Sequence, residues 1–66
     1  METLSKIKEL VELMSIDATK VYSKGNRSAS VRARKYAQEI KNLCGEFRKE
    51  ILEEIKKYDG SASDEN

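Results

Sequence analysis

Apolar residues recur in two long stretches with the spacing of an α-helix. The first stretch, Thr3 to about Ser23, alternates spacings of three and four residues, with apolar side chains at Leu4, Ile7, Val11, Met14, Ala18 and Val21. The second stretch, about Ser28 to Lys57, repeats this alternation at Ala33, Ala37, Ile40, Cys44, Phe47 and Ile51. Such spacing is typical of amphipathic and coiled-coil helices. The pattern predicts an all-α chain built from two helices.

A short segment, Lys24-Gly25-Asn26, separates the two predicted helices. Gly25 or Asn26 can adopt the left-handed conformation that ends a helix. We expect Thr3 to cap the first helix, and Ser28 or Asn26 to cap the second. Because the link is short and both helices carry an apolar stripe, the sequence predicts an antiparallel, coiled-coil-like two-helix hairpin.

Each predicted helix also carries apolar residues away from its main stripe, namely Leu10, Leu13, Ile16, Tyr36, Leu43 and Leu52. A lone hairpin would leave this second face in water, and 66 residues support only a marginal core. We therefore expect a homodimer that forms a four-helix assembly. The sequence does not distinguish a dimer from a tetramer.

The chain divides into a helical domain, residues 1–58, and a small, polar, acidic segment, residues 59–66, which we expect to be a disordered tail. No apolar run approaches the roughly 18 residues that span a membrane, and no signal-peptide pattern opens the chain. The single cysteine, Cys44, favours a reducing, cytoplasmic location and is expected to be a buried small hydrophobe.

The composition argues against catalysis. The chain has no histidine and no cluster of residues spaced as metal ligands, and it has no glycine-rich nucleotide loop after a strand. We therefore expect no enzyme activity, no catalytic residues, no cofactor, no metal site and no small-molecule substrate.

Positive charge is concentrated in one part of the chain, the basic block at residues 18–38. The block holds six cations and no acidic residue, whereas the rest of the chain holds seven cations and twelve acids. Arg27 and Arg32 fall near the start of the second helix, where the helix dipole disfavours positive charge. A concentrated basic block of this kind points to a polyanion as partner.

Four cations of the second helix recur every seven residues, at Arg27, Arg34, Lys41 and Arg48, and we call them the basic row. None has an acidic residue three or four positions away, whereas Lys35 has Glu39 and Lys49 has Glu46 and Glu53. The row is predicted to bind a polyanion. The alternative is that these four cations are solvated or form salt bridges, including salt bridges between subunits. On the first helix, Asp17 lies beside the apolar stripe as a possible partner.

Two further features leave a binding role and a structural role open. The segment from Lys24 to Ser28 could wrap a phosphate, or it could serve only as the turn between the two helices. Tyr36 lies among the basic residues and could stack on bases, although core or dimer packing is the favoured interpretation.

The stretch KGNRSASVRARK, residues 24–35, resembles the chlamydial histone-like (linker-histone-like) protein family and its short, tail-less relatives in Bacteroidetes-type bacteria. The stretch EIKNLCGEFRKE, residues 39–50, resembles that family's second-helix segment. The resemblance implies a nucleoid-associated protein that binds DNA with little sequence preference. It implies contacts from Lys24, Arg27, Arg32, Arg34, Lys35, Arg48 and Lys49. The chlamydial proteins add a long basic tail, whereas this chain ends in acidic residues.

The leading functional hypothesis is a small bacterial histone-like protein of the cytoplasmic nucleoid that binds the phosphates of duplex DNA. The alternatives are a two-helix, ribosome-associated RNA-binding protein and a coiled-coil module that binds an acidic protein. The candidate DNA-binding residues are Lys20, Lys24, Arg27, Ser28, Arg32, Arg34, Lys35, Lys41, Arg48 and Lys49. Whether the DNA is bent, bridged or coated is left open.

Overall fold

The computed structural model of the chain describes residues 1–59, which form two helices, α1 (Glu2–Lys24) and α2 (Arg27–Asp59). Every helix end lies within two residues of its predicted position. Among residues 1–59 there is no strand, so the predicted helical hairpin is confirmed. The predicted acidic tail lies outside the described residues, apart from Asp59, which ends α2.

The turn between the helices depends on one glycine and one asparagine. Gly25 adopts the left-handed conformation, with φ 62° and ψ 32°, and its amide donates to the Val21 carbonyl at 2.8 Å. Glycine tolerates this conformation because it has no Cβ. The Asn26 side-chain oxygen accepts a hydrogen bond from the Ala29 amide at 2.9 Å, so Asn26 is the N-cap of α2. A two-residue link of this kind returns the chain antiparallel.

The prediction that Thr3 caps α1 is wrong. Helix α1 begins at Glu2, and no side chain caps it. The Thr3 hydroxyl instead donates to the Glu50 carboxylate at 2.6 Å, because the Thr3 side chain lies on the face toward α2. This contact places the start of α1 beside Glu50, so the last two turns of α2 extend beyond α1 and leave Leu52, Ile55 and Tyr58 exposed.

The face between the helices is rotated from the predicted apolar stripes. Leu10, Tyr36 and Leu43 were predicted for a second face, but they are half-buried between the helices. Their neighbours Val11, Ala37 and Cys44 are exposed, as are Leu4 and Ile51. The prediction that Cys44 is buried is therefore wrong. The rotation has a physical reason: the side chains of Tyr36 and Leu43 bury more apolar area than those of Ala37 and Cys44.

The hairpin has little buried core. Within residues 1–59, Ala29 is the one buried apolar residue, and the other interhelix contacts are made by half-buried side chains such as Ile7, Met14, Ile40 and Phe47. Most of the structure's apolar surface therefore remains in reach of water or of another molecule. Neither α1 nor α2 is long and apolar enough to cross a membrane.

Candidate nucleic-acid interface

The basic row runs along one continuous helix. All four of its members are exposed on α2. Residues seven apart on a helix are about 10.5 Å apart along its axis, so the row covers about 32 Å. Its members form no ion pair or side-chain hydrogen bond with any residue in 1–59. The row therefore presents a line of positive charge that no described acidic residue neutralises.

The acidic residue of α1 that was the candidate partner for the row is bound by another arginine. Asp17 accepts two hydrogen bonds from the Arg32 guanidinium, one from Nε at 3.1 Å and one from Nη2 at 3.0 Å. The Asp17 side chain is 7% exposed, whereas that of Arg32 is 46% exposed. Since Arg32 is not a member of the basic row, the salt-bridge alternative gains no support from α1.

The ion pair shifts the pKa of both partners. Hydrogen bonds from Arg32 hold the pKa of Asp17 below its ordinary value of 3.8, with desolvation acting in the opposite direction and Arg32 and Lys20 adding attraction. The hydrogen bond to Asp17 likewise raises the pKa of Arg32. Arg32 was predicted to contact DNA, and the structure gives it a contact within the hairpin. Because a guanidinium has five N–H donors, three remain for another acceptor.

The other predicted residues lie on two sides of the hairpin. Lys20 and Lys24 are exposed in the last two turns of α1, and Ser28 is exposed in the first turn of α2. Lys35 and Lys49 each follow a member of the basic row by one residue, which places them about 100° around the helix from it. A single flat surface therefore cannot engage all ten predicted residues, and the basic row is the largest set that shares one line.

Charge is distributed unequally between the ends of the hairpin. The basic block comprises the last two turns of α1, the turn and the first third of α2. The opposite end carries Glu2, Glu50, Glu53 and Glu54. The turn end is thus the more attractive to a polyanion.

An exposed apolar edge flanks the basic row, and it consists of Leu4, Val11, Ala37, Cys44 and Ile51. On each helix these positions lie on the opposite edge of the interhelix face from Asp17 and Arg32. The ion pair shows that the Asp17 edge of α1 and the Arg32 edge of α2 lie on one side of the hairpin. The five residues of the apolar edge therefore lie together on the other side. Arg34, Lys41 and Arg48 each precede a member of the apolar edge by three residues, about 60° around α2.

The family model described as "Histone H1-like protein Hc1" matches residues 1–57, which include both helices up to the last turn of α2. The chain belongs to the histone H1-like protein Hc1 family. The predicted resemblance to chlamydial histone-like proteins is confirmed, and the match extends beyond the two motifs that suggested it. Comparisons with curated proteins and with solved structures give no match.

No three acidic or cysteine side chains within residues 1–59 come together as a metal site. A shallow, mostly apolar hollow of about 270 Å³ is lined by Phe47, Arg48, Ile51 and Leu52. It opens on the side of α2 that carries the apolar edge, and Arg48 is its charged member.

Sequence reasoning missed two residues beside the basic block. Asp17 was considered only as a partner for the basic row, because its pairing with Arg32 depends on how the two helices align. Tyr22 was not among the predicted residues, although its position in the sequence indicates that it is exposed. Val21 lies on the predicted stripe, so the next residue must point about 100° away from it. In the structure Tyr22 is 90% exposed.

Proposed function

We propose that this chain is a small bacterial nucleoid-associated protein that binds duplex DNA without sequence preference, through its phosphates. The observation that carries the proposal is the basic row, in which four exposed cations align over about 32 Å with no acidic partner among residues 1–59. Membership of the histone H1-like family supports the same function. The proposed location is the nucleoid, within the cytoplasm, and the proposed role is not enzymatic.

The spacing of the basic row favours contacts to phosphates over contacts to bases. Its members are about 10.5 Å apart, whereas successive base pairs of DNA are about 3.4 Å apart. Side chains so far apart cannot read neighbouring base pairs. Lysine and arginine can contact phosphates at any sequence, and such contacts orient a protein on DNA without identifying bases.

We further propose that two copies associate through the apolar edge. Val11 and Ile51 are 43% and 42% exposed, and the hairpin buries little apolar surface of its own. A symmetric contact through this edge would cover these side chains in both subunits. Because the basic row lies about 60° from the edge on α2, the rows of the two subunits would flank the contact and could engage one duplex together.

A salt titration on duplex DNA tests the proposed function. If a dimer neutralises about six to eight phosphates, the slope of log affinity against log salt is roughly −5 to −7. Affinity would then fall on the order of a thousandfold or more between about 50 and about 200 mM salt. Duplexes of equal length and different sequence should bind within a few-fold of one another. A slope near −1, or a strong preference for RNA or for an acidic protein, would contradict the proposal.

A further inference from the structure

The strongest unexplained feature near the proposed interface is an exposed aromatic ring. The chain has four aromatic residues, and Tyr36 and Phe47 are half-buried between the helices. Tyr58 is 77% exposed at the acidic end, and Tyr22 is 90% exposed at the basic end. A singly exposed apolar residue is ordinary on a protein surface. An inference about Tyr22 therefore needs support from the residues around it, and not from its exposure alone.

Those surroundings suit a nucleic acid. Tyr22 lies in the last turn of α1, and no acidic residue occurs between Ala18 and Gln38. Lys20 and Lys24 are each two residues away, so they lie about 160° around the helix, on the Asp17 side, and the positive charge on the Tyr22 side is that of the basic row. The nearest acid before that stretch, Asp17, lies on the opposite edge of the interhelix face and is bound to Arg32. No described negative charge on this side of the turn would repel a phosphate approaching the Tyr22 ring.

Tyr22 also lies on the same side of the hairpin as the apolar edge, but about 16 Å beyond Val11 along α1 toward the turn, so the proposed subunit contact through that edge leaves the ring accessible. It follows Leu4 by eighteen residues, which is five full helical turns, so the two share one edge of α1. Its neighbours on that side near the turn, Ala18 and Ala33, are small. A strand held by the basic row can therefore bring a base to the ring without meeting a bulky side chain.

We propose that Tyr22 stacks on an unpaired base, so that the turn end of the hairpin binds single-stranded or gapped DNA more tightly than an intact duplex. This inference rests on the proposed function. Aromatic rings stack on any base whose face is exposed, irrespective of sequence. Within a duplex both faces of each base are covered by its neighbours, and separating them costs free energy. Tyr36 was also a candidate for stacking, but its ring lies between the helices. We therefore assign the stacking role to Tyr22.

The test compares Tyr22→Leu with the wild type on three DNA probes, using fluorescence anisotropy at low salt. The probes are a single strand of about 20 nucleotides, longer than the roughly 4–16 nucleotides of common single-strand sites, its duplex, and the duplex with a short gap. Tyr22→Leu should bind the single strand and the gapped duplex about tenfold more weakly. Its affinity for the intact duplex should change less than about twofold.

Two further variants separate stacking from other causes. Tyr22→Phe keeps the ring and should bind all three probes as the wild type does. Tyr58→Leu removes a ring of similar exposure at the acidic end and should change none of them. Equal losses on duplex and single strand, an unchanged single-strand affinity, or a Tyr22→Leu protein that sediments as a smaller species would each overturn the inference. If the wild type binds none of the probes, the proposed DNA-binding function itself fails.

Discussion

Arg32 and Asp17 join α2 to α1 through two parallel hydrogen bonds, of 3.1 and 3.0 Å, close to the turn. The two partners are unequally buried, since the Asp17 side chain is 7% exposed and that of Arg32 is 46% exposed. Loss of Asp17 would leave an arginine that water can still solvate. Loss of Arg32 would leave a carboxylate that is shielded from water and has only the attraction of Lys20 to offset its burial.

The unequal burial predicts that Arg32→Met destabilises the hairpin more than Asp17→Asn does. The two variants should also differ in their dependence on pH. In the wild type the pKa of Asp17 is lowered in the folded state, so the pair stabilises the fold above about pH 4 and this contribution is lost as the pH falls further. In Arg32→Met the desolvation that raises this pKa is opposed only by the attraction of Lys20, so the loss of stability on acidification should be diminished or reversed.

Thermal unfolding followed by circular dichroism between about pH 3 and pH 7 measures both effects. Asp17→Asn serves as the control, because it has no carboxylate at this position to titrate. Parallel pH profiles for the wild type and Arg32→Met would contradict the assignment of the acid response to this pair.

The basic row predicts a defined loss in salt dependence. Arg34→Ala combined with Lys41→Ala would remove two of the proposed phosphate contacts per subunit, or four in the proposed dimer, so the salt slope should become shallower by roughly 3 to 4. Affinity for duplex DNA at low salt should fall at least about tenfold. Helicity should be retained, because alanine is the strongest helix former.

The matched control removes the same number of cations from the acidic end, as Lys56→Ala with Lys57→Ala. Lys57 is 3.4 Å from Glu54, and both lysines lie close to acidic residues. Duplex affinity in this control should stay within about twofold of the wild type. Equal losses from the two pairs would show that net charge, rather than the basic row, determines binding.

The proposed contact through the apolar edge predicts which substitution would dissociate a dimer. Val11→Glu places a charge on that edge and should convert the dimer to a monomer at micromolar concentration, as measured by analytical ultracentrifugation. Ile16→Glu introduces the same charge at a residue that is 55% exposed, on the side of α1 away from both α2 and the apolar edge. It should remain dimeric. A wild type that sediments as a folded monomer would exclude the proposed contact.

The two described glycines predict opposite effects of the same substitution. Gly25 has φ 62°, so Gly25→Ala should lower the free energy of unfolding by about 1 kcal/mol. Gly45 lies within α2 with no neighbouring atom within 4 Å of an added Cβ, so Gly45→Ala should raise it by about 0.5 to 1 kcal/mol. Urea denaturation measures both. A destabilised Gly45→Ala protein would indicate that another subunit approaches this glycine closely.

The sequence predicts the two helices, the turn and the hairpin because each depends on local spacing and on a single left-handed residue. The rotation of the helices is harder to predict, because apolar residues occupy adjacent positions such as Leu10 and Val11, or Leu43 and Cys44. Either member of such a pair could face the other helix. The choice depends on which side chains fit between two particular surfaces, and spacing along the chain does not contain that information.

The same distinction applies to the candidate site. The basic row follows from a repeat of seven residues within one helix, and all four of its members are exposed in the structure. The Asp17–Arg32 pair joins residues fifteen positions apart across the turn, so it depends on the alignment of α1 with α2. Tyr22 could have been placed by its position next to Val21, but its 90% exposure also depends on the small residues that surround the turn.

The length of the basic row can be compared with the helical repeat of DNA. A row of about 32 Å is nearly the roughly 34 Å repeat of the double helix. If the basic row lies along a duplex as proposed, a straight α-helix cannot wind with a groove over that distance, so the two ends of the row would meet the duplex at equivalent angular positions. Because α2 itself is about 50 Å long, subunits placed end to end along one face of the DNA would be spaced by the length of the helix, about fifteen base pairs, and not by one turn of the duplex. On this basis, the length of α2, and not the DNA sequence, would set the highest density of coverage.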